Sequence, residues 1–311
     1  MTEPADTDRS SAWPDLTPAW SDTRDTLHMW LQVIGKIRMA LTPRVNHWWN
    51  VTLYVSSRGL TTSLMPLDRR GLEIEFDFVD HILHLRTTDG QSRDVPLEPQ
   101  AVATFHRATM AALDGLGIDV HIGLRPSEVV EAIPFDRDEA HHSYDPDAVQ
   151  RFWRALVQID RVLNNFRSRF IGKASPVHLF WGGADLCTTR FSGRPAPRHR
   201  GGVPNCPDWV QVLAYSHEES SAGFWPGGDE AMFYAYAYPE PAGFADWPVE
   251  PAGAFYDTGL GEFLLPYSVV RTASDPDAAL LAYLQTTYEA AAELGEWDRA
   301  ALESTAPQPG T

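Results

Sequence analysis

The stretch Tyr215-Ser216-His217-Glu218-Glu219-Ser220-Ser221-Ala222-Gly223-Phe224-Trp225-Pro226-Gly227 sets an imidazole beside carboxylates, ahead of a glycine-rich aromatic turn. Such a pair can move a proton or bind a metal. Neighbouring strand residues face opposite ways, so His217 and Glu218 share a site only if the backbone bends, which Gly223 and Pro226 allow. The expected roles are His217 as acid–base group, Glu218 or Glu262 as its orienting partner, and Trp225 as a wall. Glu262 lies in the apolar run Leu260 to Tyr267, and a buried carboxylate there needs a cation. Lys36 and Lys173 each follow a glycine at what reads as a helix end, where a cation offsets the helix dipole by about 0.3–1 kcal/mol. Facing a shared crevice, the two lysines with Arg190 would instead hold an anion. Tyr234, Tyr236 and Tyr238 alternate with Phe233, Ala235 and Ala237, so the phenols share one face, available for core packing or for a pocket.

His47 and His178 each open an aromatic run and read as core histidines; with His217 they are the ligands if a metal is bound at all. No His-Glu-x-x-His, Cys-x-x-Cys or His-x-His occurs, so no metal or other cofactor is expected. The absence of a Gly-x-Gly-x-x-Gly, a phosphate loop and a Gly-x-Ser-x-Gly elbow disfavours dinucleotide, nucleotide-hydrolase and standard serine-hydrolase chemistry.

These residues need a scaffold. Leu27, Trp30, Leu31, Ile34, Ile37 and Leu41 recur at helical spacing up to Pro43. Residues 47–55 and 60–64 read as a hairpin about Ser57-Arg58-Gly59, and 72–78 alternates as a half-buried strand that returns over 82–86. A helix over 99–116 ends on Gly117, and 120–124 reads as a short strand. After a polar, proline-marked stretch the plan restarts, with a helix over 152–170, strands at 177–181 and 186–191 about Gly182-Gly183, and a loop over 194–207. Strands near 210–215 and 232–238 follow, then a helix over 276–294 capped by Ser274 or Asp275.

The restart repeats details: Ile34-Gly35-Lys36 and Ile171-Gly172-Lys173, His47-Trp48-Trp49 and His178-Leu179-Phe180-Trp181, Leu60-Thr61-Thr62 and Leu186-Cys187-Thr188-Thr189. The expectation is an α+β protein of two pseudo-repeated halves, each helices on an antiparallel sheet, with a ligand crevice where they meet. The bounds are a flexible arm at 1–22, the first half at 23–125, a linker at 126–146, the second half at 147–303 and a tail at 304–311.

Thr26-Leu27-His28-Met29-Trp30, Asn46-His47-Trp48-Trp49, Phe76-Asp77-Phe78-Val79-Asp80-His81, Arg169-Phe170-Ile171-Gly172-Lys173 and Phe233-Tyr234-Ala235-Tyr236-Ala237-Tyr238-Pro239-Glu240 give the chain a further reading. Through them it resembles a bacterial family catalogued as domain of unknown function 5996. The resemblance covers nearly everything between the two tails and implies no activity.

Composition bounds the partners. Among 311 residues, 43% are hydrophobic and the net charge is −17, a balance that repels phosphate backbones and anionic membranes. No apolar run approaches the roughly 20 residues of a membrane span, and the acidic start Met1-Thr2-Glu3-Pro4-Ala5-Asp6 does not read as a secretory signal. Two cysteines are too few for a disulfide framework, so a cytoplasmic protein is expected. The partner expected is a small, anionic molecule, with no nucleic acid and no membrane; the sequence leaves the oligomeric state open. The function expected is an enzyme, with a non-catalytic binding or sensing protein and a protein-interaction module as alternatives.

Overall fold

The 3.6-residue apolar stripe from Leu27 to Leu41 and the two-residue alternation from Leu72 to Phe78 each need an apolar surface to face. In the computed structural model, which describes residues 12–16 and 20–304, both bury their apolar sides in one hydrophobic core that runs through the two halves. Helix α1 (Ser21–Leu41) precedes a meander of β1 (Tyr54–Val55), β2 (Gly59–Thr61), β3 (Met65–Leu67), β4 (Arg70–Asp77), β5 (Ile82–Thr87) and β6 (Ser92–Pro96). The sheet runs β1-β2-β4-β5-β6, with β3 also paired to β4, and α2 (Val102–Gly115) follows. Leu72, Ile74 and Phe76 of β4 point inward, and Trp30 of α1 stacks on Phe105 of α2 with ring centroids 4.6 Å apart.

The second half has a sheet and helices of its own. Helix α3 (Pro146–Ser168) precedes β7 (His178–Phe180), β8 (Asp185–Pro195), α4 (Asp208–Ala214), β9 (His217–Trp225), β10 (Met232–Tyr238), β11 (Phe255–Asp257) and β12 (Glu262–Pro266). Helices α5 (Tyr267–Arg271), α6 (Pro276–Leu294) and α7 (Arg299–Leu302) end the described chain. The second sheet, β11-β12-β10-β9-β8-β7, is antiparallel throughout. Its inner face packs on α3 and α6: the partnered residues Arg190, Ser220 and Ala237 lie on that side, and the Arg190 guanidinium donates to the Phe166 carbonyl of α3. Thr189, Ser221 and Tyr236 therefore occupy the opposite face. Asp145 caps α3 by accepting from the Asp147 and Ala148 amides, and Asp275 caps α6 through the Ala278 amide.

The sheets meet edge to edge. Leu53 and Leu179 exchange amide bonds of 2.9 and 2.8 Å, joining the start of the first meander to β7. Gly35 allows α1 to approach this seam, because a Cβ there would overlap the Trp181 indole. Trp181 in turn donates to the Val51 carbonyl at 2.9 Å.

Several local expectations change. Residues 46–48 form a single tight turn, with His47 and Trp48 in the left-handed region at φ 53° and 62°, so no strand begins there. The segment 120–124 has no strand, and 210–214 belongs to helix α4 with Tyr215 as its C-cap, because Pro207 starts a turn and Trp209, Val210 and Leu213 share one helical side. Ile34-Gly35-Lys36 lies inside α1, whereas Ile171-Gly172-Lys173 lies beyond the end of α3, so the two tripeptides are not equivalent in place. Trp13 and Trp20 are buried, against Tyr267 and Phe152. Ser21 and Asp22, expected in the arm, already belong to α1, and residues 1–11, 17–19 and 305–311 of the expected arm and tail lie outside the described residues. Among the described residues no helix is long and apolar enough to cross a membrane.

Candidate functional site

The outer face of the second sheet is not covered by a helix layer, and a cavity of about 660 Å³ lies over it. Its floor is built from alternate strand residues: Asp185, Cys187, Thr189 and Phe191 of β8, Glu219 and Ser221 of β9, Tyr234 and Tyr236 of β10. The first half closes one side with Lys36 and Met39 of α1 and residues 47–51, the linker adds Ser127 and Glu128, and α4 with the loop before it forms the roof. The site thus lies where the halves meet.

The floor is held by internal bonds. The Tyr234 hydroxyl donates to Asp185 at 2.5 Å, Thr189 and Ser221 share a hydroxyl bond of 2.9 Å, and Tyr215 donates to Tyr236 at 3.2 Å. Gly223 makes the first possible, since a Cβ there would come within 2.7 Å of the Tyr234 hydroxyl.

The roof is tied to the 46–49 turn. A carbonyl oxygen can only accept, so His47 Nδ1 carries the proton that bonds Ala214 O at 2.6 Å. Its Nε2 is then free to accept from the Lys173 ammonium, also at 2.6 Å. Burial, with Lys173 and His217 adding repulsion, lowers the His47 pKa to about 4. The Trp48 indole donates to Val210 O at 3.0 Å. His28 and Gln32 of α1 fix the other wall: Gln32 bonds both backbone groups of Ser127, and His28 bonds Gly182 O at 2.7 Å. Among the described residues, non-glycine positions with positive φ include His47, Trp48, Glu128 and Asn205, all on the cavity wall. Each left-handed residue costs of order 1–3 kcal/mol, so the surrounding bonds must hold them.

Burial also governs the acids. It raises Glu219 to about 8, against a hydrogen bond from Tyr236 and the charge of Lys173. Glu128 rises to about 7 and Asp185 to about 6 for the same first reason. The Lys36 and Lys173 amines are pulled down by desolvation. Lys36 Nζ donates to Ser127 Oγ at 3.0 Å and lies 5.5 Å from the Trp181 ring centroid; Lys173 Nζ lies 4.6 Å from that of Phe191.

Of the residues singled out by sequence, Lys36, Tyr234, Tyr236 and His47 line the cavity, with Lys173 and His217 against His47. The others do not join them. Gly223 produces no bend, and β9 runs straight through, so Glu218 faces away from His217; it binds Ser192 and Arg194, whose guanidinium caps the carbonyls of Gly295 and Glu296 after α6. Arg190 is sandwiched by Phe166 and Tyr288 on the helix side of the sheet, away from the cavity. Trp225 stands exposed at the far end of β9. Glu262 is on the cavity face of β12 but outside the lining, and it has no lysine partner; burial, Asp185 and Asp257 push it to about 7. His178 is fully buried, held down to about 3, and outside the lining. His47, His178 and His217 do not form a metal-binding cluster, and no group of three or more such ligands occurs among the described residues. Sequence reading missed Glu219, Asp185 and Glu128. The two-residue period counted from His217 leads to Glu219, whereas Glu128 sits in a stretch read only as a linker.

No curated protein and no solved structure matches the chain. A site that draws on residues from Lys36 to Tyr236 needs most of the chain, and a family model matches it over a comparable extent, residues 13–304: the protein belongs to the family of unknown function DUF5996.

Proposed function

We propose that the protein is an enzyme that acts on a small anionic molecule in this cavity by acid–base chemistry, with Glu219 rather than His217 as the proton-transfer group. The observation that carries the reading is a buried carboxyl, 5% exposed and held near pKa 8, on the floor of a cavity walled by aromatic rings. A group titrating there exists in both states near neutral pH, which suits proton transfer. The preference for an anion follows from charge. Near neutral pH Glu219 is mostly protonated and Glu128 about half so, which leaves the cations of Lys36, Lys173 and Arg44 under-compensated at the cavity. Arg44 lies 5.8 and 5.6 Å from the Trp48 and Trp209 ring centroids, a cationic and aromatic rim.

The test is incubation with a polar small-molecule extract, followed over time by mass spectrometry. The wild type should change at least one anionic species, Glu218→Gln should do the same, and Glu219→Gln should not while keeping the wild-type fold. The rate should have a limb with its midpoint near pH 8. Equal turnover by Glu219→Gln would remove Glu219 from the chemistry. Saturable retention without turnover would favour a binding or sensing protein instead, a reading that the mutually bonded floor hydroxyls also suit.

The repeated order of long helix, meander and helix supports descent of the halves from one unit. The acidic balance and two unbridged cysteines support a cytoplasmic setting.

A further inference from the structure

The chain has 25 lysine and arginine residues, and only Lys36 and Lys173 are lysines. Both stand at the same cavity: Lys36 lines it, and Lys173 bonds His47 and lies over Phe191, which line it. Every other basic side chain of this type, including all that make surface ion pairs, is arginine. Where charge alone is required this chain therefore uses arginine. An amine offers what a guanidinium does not: it can lose its proton and attack carbon.

The surroundings of Lys36 suit that role. Lys36, inside α1, is 6% exposed, with Ser127 Oγ as the hydrogen-bond partner of its ammonium and the Trp181 ring beside it. Ion pairs among the described residues run through arginine or histidine and none through lysine, so no carboxylate pins the charge. Glu128, next to Ser127 and on the same wall, is near enough for its charge to act on Lys36, and its carboxyl is poised to give and take protons near neutral pH. Lys173 differs: its ammonium is engaged by His47 Nε2 and rests over Phe191 and Trp49, as a fixed cation would be.

We propose that Lys36 forms an imine with a small carbonyl acid, an aldehyde or ketone that also carries an anionic group, and that Lys173 holds the anionic end. This deepens the cavity reading above and rests on it. In the step, the lone pair of the neutral Lys36 amine forms the N–C bond while the carbonyl π electrons move to oxygen, which takes a proton. Glu128 gives a proton to that oxygen and takes one from nitrogen, forming a carbinolamine; a second proton passes the same way from nitrogen to the hydroxyl as the C–O bond breaks, water leaves and the C=N bond forms. Both amine hydrogens depart in the water, and no oxidant or reductant is consumed.

The test uses the full chain with pyruvate, glyoxylate, 2-oxoglutarate and glyceraldehyde 3-phosphate, each with sodium cyanoborohydride to reduce any imine to a stable amine. With two lysines and one terminal amine, peptide mapping is unambiguous. The expected result is a single saturable adduct on Lys36 with at least one probe, lost in Lys36→Arg and needing higher probe concentration in Lys173→Met. Mapping on the wild type decides the matter even where Lys36→Arg folds poorly. An adduct on Lys173 or the terminal amine alone would overturn the proposal. So would a probe that raises the melting temperature in the absence of reductant yet gives no adduct on Lys36; that outcome leaves the cavity reading standing. Neither adduct nor melting shift with any probe would count against both.

Discussion

Glu219 on the cavity floor and His47 on its wall have pKa values shifted in opposite directions, which shapes how stability depends on pH. Glu219 is raised from 4.5 to about 8, so the folded state binds the extra proton and stability falls as pH climbs through that window. Glu128 and Glu262, both raised to about 7, act in the same sense. His47, lowered to about 4, and His178, lowered to about 3, bind protons more readily unfolded, so they cost stability as pH falls below 6.5. Above pH 6.5 only the acids of this set still titrate. The melting temperature should therefore drop between pH 6.5 and 8.5, and Glu219→Gln should flatten that drop; an unchanged slope in the variant would mean that Glu219 is ionised in the folded protein. Tyr234→Phe removes the donor to Asp185, and should cost about 1–2 kcal/mol in a denaturant melt while lifting the Asp185 titration above 6. At this scale the sequence was half legible. Lys36, Tyr234 and Tyr236 were found because residue type and alternation are local properties. Glu218 pairs with His217 only if the backbone bends, which Gly223 allows in sequence, whereas in the fold that glycine makes room for a phenol from the next strand and leaves Glu219 on the His217 side.

The elements that position the site depend on two kinds of contact, one readable locally and one not. Asp145 before Pro146 marks the start of α3, and Asp145→Ala should cost about 1 kcal/mol by releasing the Asp147 and Ala148 amides. Gly35 is the opposite case. Alanine in a helix interior is favoured over glycine by about 1 kcal/mol, yet the added methyl would overlap the Trp181 indole, and overpacking of this kind costs about 1–3 kcal/mol. Steric overlap should win, so Gly35→Ala should lower the denaturation midpoint; Gly123→Ala, with nothing within 4 Å of the new carbon, should not. The helices and the β4–β5 and β10 strands were legible because their apolar periods are long. The 46–48 turn and α4 were not, because they are short and shaped by each other: His47 to Ala214 and Trp48 to Val210 are contacts between residues more than 160 positions apart.

For the whole molecule, two helix-and-meander units joined at Leu53 and Leu179 leave a cavity over one sheet face, and both units with the linker enclose it. The α+β plan and a crevice between halves could be read from the restart of the pattern. The wall supplied by the linker could not, since Ser127 and Glu128 carry no periodic signal and are placed by Gln32 on a distant helix. The most direct test of a cavity built for a small anion is to pass the folded protein through a polar metabolite extract, separate it by gel filtration, and weigh what it releases on denaturation, beside a Lys36→Met, Lys173→Met double variant of equal stability. The account predicts an anionic molecule retained at close to one per chain by the wild type and lost from the variant. Equal retention by both proteins, or none by the wild type, would contradict it.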